Sequence, residues 1–128
     1  MKKYILFMWM LPQNIIGFLF WVILKLSKNI TNIFPYKECV VFRFKGFSFI
    51  SGGSLGRYIF IREYHSLKTV KHEYGHYRQG VIFGPTYFIF IGVPSVFNNI
   101  RGRLDKEFNL RYYSVYPEKW ANKLGGVE

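Results

Sequence analysis

The sequence predicts an α+β fold: an N-terminal transmembrane helix, a small antiparallel sheet, and a metal-binding helix followed by further short helices. Three observations carry this. Residues 4 to 24 contain no charged side chain. Residues 38 to 62 show alternation with a period of two. Residues 66 to 83 combine a helical apolar stripe with the pattern His72-Glu73-Tyr74-Gly75-His76.

The N-terminal stretch, YILFMWMLPQNIIGFLFWVIL, is uncharged over 21 positions and flanked by Lys2, Lys3, Lys25 and Lys28. That length matches a hydrocarbon core of about 30 Å. A cleaved signal peptide ends in small residues, whereas the only alanine in the chain is Ala121. The stretch therefore reads as a permanent membrane helix. Pro12, Gln13 and Asn14 interrupt it, and such polar groups in lipid turn towards another protein element. Basic residues are commoner after the helix than before it, which places the following domain on the cytoplasmic side of a bacterial inner membrane. The division is then a membrane helix with its flank at 1–33 and a folded domain at 34–128, with a second apolar segment at 81–97.

Val40, Phe42 and Phe44 alternate with Val41, Arg43 and Lys45, one apolar face against one partly basic face. Arg57 to Arg62 is a second β-rich run, and the glycine-rich Ser51 to Gly56 between the two reads as a turn. It lacks the lysine of a phosphate-binding loop and leads into a strand instead of a helix. Cys39, the single cysteine, excludes an internal disulfide and a thiolate-rich metal site, and reads as a packed strand residue.

The third element starts at Ser66, a suitable N-cap, and runs to Gly84-Pro85, a stop. Leu67, Val70, Tyr74, Tyr77 and Val81 form its apolar stripe. His72 and His76 are one turn apart on a neighbouring face, so both imidazoles can reach one ion, with Glu73 beside it as a base for a bound water. Residues 81 to 97 are again uncharged, but 17 positions interrupted by Gly84, Pro85, Gly92 and Pro94 make a poor span. The chain closes with a short helix from Pro117 to Leu124, ended by Gly125-Gly126.

Half of the residues are hydrophobic and 21% are aromatic, and 18 basic side chains against 7 acidic give a net charge of +11. Such an excess favours anionic partners, but the basic residues are scattered and no nucleic-acid motif is present. The expected partners are membrane lipid and a peptide or protein substrate, not nucleic acid.

A catalytic zinc ion keeps three protein ligands and an open position. Two are His72 and His76. An extended motif with a third histidine fails, because Gln79 and Ile82 stand where Gly and His belong. The Leu-Asp-Gly of intramembrane site-2 proteases also fails at Leu104-Asp105-Lys106. Glu118 fits best, with Asn122 four residues on and on the same helix face, while Asp105, Glu107 and His65 are the alternatives.

The pair His72-Glu73-x-x-His76 and Glu118-x-x-x-Asn122 resembles the gluzincin metallopeptidases, including minimal gluzincins and small membrane-anchored bacterial proteins of that kind. The resemblance covers two short motifs in the second half of the chain. It implies a zincin-like domain, a Zn2+ held by His72, His76 and Glu118, Glu73 as general base, and Asn122 orienting a zinc-bound histidine. Family members carry Asp at that last position, so the amide here contributes no charge to the histidine. It further implies a strand that pairs with extended substrate, for which Tyr58, Ile59, Phe60 and Ile61 are the candidates, and an oxyanion stabiliser among Tyr112, Tyr113, Tyr116 and His65. The expected activity is zinc-dependent endopeptidase action at a membrane. A non-catalytic membrane protein with a structural zinc site is the rival, and Glu73 separates the two, since a structural site has no use for it.

Overall fold

β2 (Cys39–Phe44) and β4 (Tyr58–Arg62) are buried on both faces, and the rest of the chain is laid around them. A computed structural model describes residues 2–46 and 52–127. The sheet has the order β1-β2-β4-β3, with β1 (Ile30–Tyr36) and β3 (Gly52–Leu55) at its ends. β1 pairs with β2 and β3 with β4 in antiparallel fashion, but β2 and β4 run parallel, with Val40 opposite Tyr58 and Phe44 opposite Arg62. The sheet is therefore mixed, not antiparallel as the sequence suggests. β3 is the reason: Gly52 to Leu55, read above as part of a turn, form a strand, and only Gly56 and Arg57 turn the chain (Ser51 lies outside the described residues).

A parallel central pair is normally covered on both sides, and here helices supply the cover. Cys39, Val41, Ile59 and Ile61 pack with Val70, Tyr74 and Tyr77 of α3 (Leu67–Phe83). On the opposite face, Phe42, Phe44 and Phe60 pack with Phe20, Trp21 and Leu24 of α2 (Leu11–Leu26). The expected basic face of β2 is thus buried under α3, and Arg43 lies at the strand end, donating to the carbonyl oxygen of His65 at 2.6 Å. Each fully buried apolar side chain in such layers contributes roughly 1.5–3 kcal/mol. Cys39 is one of these buried residues.

The apolar N-terminal stretch is not one helix. α1 (Lys2–Trp9) ends before Met10, and α2 starts with Pro12 in its first turn, where a missing N–H costs least. Gln13 donates to the carbonyl oxygen of Gly84 at 2.7 Å, and Asn14 bridges the carbonyl oxygen of Phe7 and the backbone N–H of Arg57 at 3.0 and 2.9 Å. Gln13, Asn14, Gly17 and Leu24 are the buried positions of α2, while Ile15, Phe18, Leu19 and Ile23 are exposed. No described helix is long and apolar enough to cross a membrane. This overturns the expected transmembrane helix, and it removes the basis for placing the chain in a bacterial inner membrane with a cytoplasmic domain.

The second apolar segment is broken as well. α3 ends at Phe83, a single 3-10 turn follows at Gly84–Thr86, a π turn at Phe88–Gly92, and then α4 (Val93–Leu104) begins with Pro94 in its first turn. α5 (Lys106–Leu110), a 3-10 turn at Tyr112–Ser114 and α6 (Glu118–Gly125) complete the chain. α6 returns onto α3, and this crossing builds the site. Gly75 and Gly125 permit it: a Cβ at Gly75 would collide with the carbonyl oxygen of Ala121, and one at Gly125 with that of Lys71.

Candidate metal centre

His72 and His76 extend from one face of α3 with ring centroids 4.7 Å apart, each 5% exposed. α6 gives His72 a partner at Nδ1, and α3 itself gives His76 one. Nδ1 of His72 lies 2.6 Å from Oδ1 of Asn122, and Nδ1 of His76 lies 2.7 Å from Oε1 of Gln79. The Gln79 amide cannot be turned round without loss, because its Nε2 donates to the carbonyl oxygen of Pro117 at 3.1 Å. An amide oxygen accepts only, so Nδ1 of His76 carries the proton, and Nε2 is left with its lone pair. At His72 the Asn122 oxygen faces Nδ1, and in that orientation the ring takes the same tautomer. Histidines fixed through Nδ1 in this way are poised to bind a metal through Nε2.

Glu118, fully buried at the start of α6, places Oε1 3.2 Å from Nε2 of His76. Ser95 Oγ donates to the same Oε1 at 2.7 Å, and Asn98 Nδ2 donates to Oε2 at 3.0 Å. Asn98 also holds the carbonyl oxygen of Tyr116 at 2.8 Å, which ties α4 to the entry of α6. Burial opposes the charge on Glu118, but the His76, Asn98 and Ser95 contacts outweigh it and hold the carboxyl below its usual range. Burial likewise opposes charge on His76, yet the hydrogen bond to Glu118 and the Glu73 and Glu118 charges raise its pKa overall. His72 is shifted down, mainly by burial. The shifts on His76 and Glu118 share one cause, the contact between them, which favours the charged form of each.

Two carboxylates stand near the histidines. The tightest donor cluster is His72, Glu73 and His76, with ligand atoms all within 4.8 Å of one another. Glu118 adds a carboxylate on His76. Hydrogen bonding separates their roles. Both oxygens of Glu118 are held by side chains, as suits a ligand whose direction must be fixed. Glu73 has a buried Oε2 with no partner, as suits a group that exchanges protons or meets a ligand. Two lone-pair nitrogens, a fixed carboxylate and an unsatisfied second carboxylate fit a divalent ion of borderline softness.

Glu73 and His76 line a cavity of about 810 Å3, which the whole of β3 borders on one side and α4 on another. β3 is the end strand of the sheet, so its outer edge is unpaired among the described residues. Tyr58, Ile59, Phe60 and Ile61, the expected substrate strand, lie in β4 between two neighbours and have no free edge. The glycine-rich composition that disguised β3 as a turn is also what concealed the edge.

The tyrosines divide. Tyr112 lines the cavity with Glu73 and accepts a hydrogen bond from Asn99 Nδ2 at 3.0 Å. Tyr113 sets its ring edge-on to His72, with centroids 4.9 Å apart. Tyr116 donates to the carbonyl oxygen of Phe90 at 2.5 Å and stacks on Trp120. His65 closes the turn after β4, where its Nδ1 accepts from the backbone N–H of Arg62 at 3.1 Å. Asp105 caps α5 by accepting from the N–H groups of Glu107 and Phe108, and Glu107 is exposed. Sequence reasoning missed Gln79, Ser95, Asn98 and Tyr87. Tyr87 is buried in the wall of the same cavity, and burial, with the Glu73 and Glu118 charges, keeps its hydroxyl protonated. Gln79 had a signal, since it is three residues after His76 on the same helix face. Ser95 and Asn98 had a weaker one, an i,i+3 polar pair at the end of an apolar segment.

No protein family, no curated protein and no solved structure matches this chain. The resemblance to gluzincins therefore rests on the two sequence motifs alone.

Proposed function

We propose that the chain is a metal-dependent peptidase, with the ion held by Nε2 of His72, Nε2 of His76 and the carboxylate of Glu118. The observation that carries this is the pairing of both Nδ1 atoms with side-chain amides, which leaves the two Nε2 atoms for an ion. Both histidines belong to a cluster with Glu73 whose donor atoms lie within 4.8 Å of one another, and the buried Glu118 carboxylate stands against His76. Zinc suits the donor set, and when bound it would supply a Lewis acid and make water acidic near neutral pH.

The residues of the chain do the rest. The unpartnered Oε2 of Glu73 accepts a proton from the attacking water and returns it to the leaving nitrogen. The edge of β3 offers backbone groups to an extended peptide, which fixes the scissile bond over Glu73. Of the four expected candidates, Tyr112 alone lines this cavity, which makes its hydroxyl the one for the developing oxyanion, and burial, first of all, keeps it protonated. Phe88, Val93, Val96 and Phe97 give the cavity apolar walls on which substrate side chains can pack.

The test pairs two variants. Glu118→Gln is expected to lose the metal, whereas Glu73→Gln keeps about one ion per chain and loses cleavage of a mixed peptide pool. Metal retained in Glu118→Gln, with loss in Glu73→Gln, would exchange the two roles. Full metal content in wild type with no cleavage of any peptide would leave the ion a structural part of the α3–α6 crossing.

A further inference from the structure

A second cavity, of about 910 Å3, opens on the His72 side of the centre, in the groove between the start of α3 and α6. Tyr113, Tyr116 and Trp120 give it an aromatic wall, and Lys68, Lys119 and Lys123 bring three ammonium groups to it. Among the described residues, all three lysines are exposed, none of the lining side chains is a carboxylate, and none of the three lysines forms an ion pair. The cavity over Glu73 and His76 is different in kind. Its α4 wall presents Val93, Val96, Phe97 and Ile100, with the polar Ser95 and Asn99 and a single cation, Arg103. The two meet at the centre itself: His72 faces one and His76 the other, and the touching rings of Tyr112 and Tyr113 divide them, 4.9 Å apart.

We propose that the ligand of this site is an extended peptide with an apolar flank on the β3–α4 side and an acidic flank that crosses His72 into the α3–α6 groove. The inference rests on the peptidase reading for the scissile bond and adds the charge of the substrate to it. One exposed lysine attracts a carboxylate weakly. Three of one sign, uncompensated and set against low-dielectric aromatic walls, focus their potential in the groove. The aromatic rings and lysine stems also give the flank a surface to pack on. A nucleic-acid strand is the other polyanion that such a groove suggests. It gains nothing from the unpaired edge of β3 or from the apolar α4 wall, both of which match a peptide.

Binding is measured with the Glu73→Gln protein carrying zinc, by fluorescence anisotropy of labelled twelve-residue peptides. The peptides share one apolar half, and the other half is rich in Glu, Ser or Lys. The Glu-rich peptide is expected to bind about tenfold more tightly than the Ser-rich one, the scale of a few part-exposed ion pairs, and the gap should shrink in high salt. Lys68→Glu, Lys119→Glu and Lys123→Glu together should reverse the order in favour of the Lys-rich peptide. All three positions are exposed, so the fold tolerates the change. Equal binding of the three peptides, binding of none, or an acidic preference that survives the triple reversal would each overturn the proposal. So would an oligothymidine that binds as tightly as the Glu-rich peptide. Cleavage is followed separately in the wild-type protein: acidic preference in binding without cleavage sinks the peptidase reading and leaves the charge preference of the groove standing.

Discussion

Gln79 joins His76 to the entry of α6: its Oε1 lies 2.7 Å from Nδ1 of the histidine, and its Nε2 donates to the carbonyl oxygen of Pro117, one residue before Glu118. One amide therefore sets both the tautomer of His76 and the position of the Glu118 segment. Gln79→Leu preserves much of the volume and removes both functions. It should weaken metal affinity by about 10- to 100-fold, the usual cost of losing a group that orients a ligand. Competition with a chromogenic chelator measures this, and unchanged affinity would mean that His76 is held by packing alone.

Asn122 makes the corresponding contact with His72. Asn122→Asp puts a negative charge on the imidazole N–H and should make Nε2 a stronger donor, so metal should be held more tightly than in the parent chain. Asn122→Ala should act in the opposite direction, again by about 10- to 100-fold. The ranking Asp over Asn over Ala, read by the same competition, is the expected result. An Asp variant weaker than the parent would show that a neutral partner suits this buried site better than a charged one.

Gly75 separates helix propensity from site assembly. Alanine is preferred to glycine in a helix interior by up to about 1 kcal/mol, so Gly75→Ala should strengthen an isolated α3. In the folded chain, the new methyl meets the backbone of Ala121. α6 must move away, and it takes Glu118 and Asn122 from the histidines. Metal stoichiometry should fall well below one while circular dichroism still reports a helical chain. A fully loaded Gly75→Ala protein would mean that α6 can slide without losing the centre.

The legible parts of this molecule were those fixed by local spacing. The helix of His72 and His76, with its stop at Gly84, depends on a 3.6-residue period and punctuation that a sequence displays directly. The four-residue step from Glu118 to Asn122 belongs to the same kind of signal. Non-local pairing was not legible. Nothing in Gly52-Gly53-Ser54-Leu55 marks a strand, since glycine has low β propensity, and the pairing comes from β4 beside it. Missing that strand made β2 and β4 look like an antiparallel pair and gave β4 the free edge that belongs to β3. Ser95 and Asn98 reach Glu118 across 23 and 20 residues, beyond the reach of any periodicity.

The N-terminal apolar stretch was misread for a related reason, and one substitution tests the correction. A run of uncharged residues suggests a membrane span if its few polar side chains are counted as blemishes. Here Asn14, 2% exposed, is a hinge pin: Oδ1 takes the N–H of Arg57 at the β3–β4 turn, and Nδ2 holds the last part of α1 through Phe7. Asn14→Leu makes the stretch more apolar and more helix-prone, and would favour a lipid-spanning helix. In the structure described, it leaves the Arg57 N–H and the Phe7 carbonyl without their partner, at a cost of about 1–3 kcal/mol for each group that water does not reach. The expected outcome is a melting temperature lower by several degrees, with metal content unchanged in the folded fraction, because the side-chain hydrogen bonds of Asn14 go to α1 and the β3–β4 turn and not to the helices of the centre. Thermal denaturation followed by circular dichroism decides it. An Asn14→Leu protein as stable as the parent, or more so, would mean that α1 and α2 do not dock on the sheet through this residue.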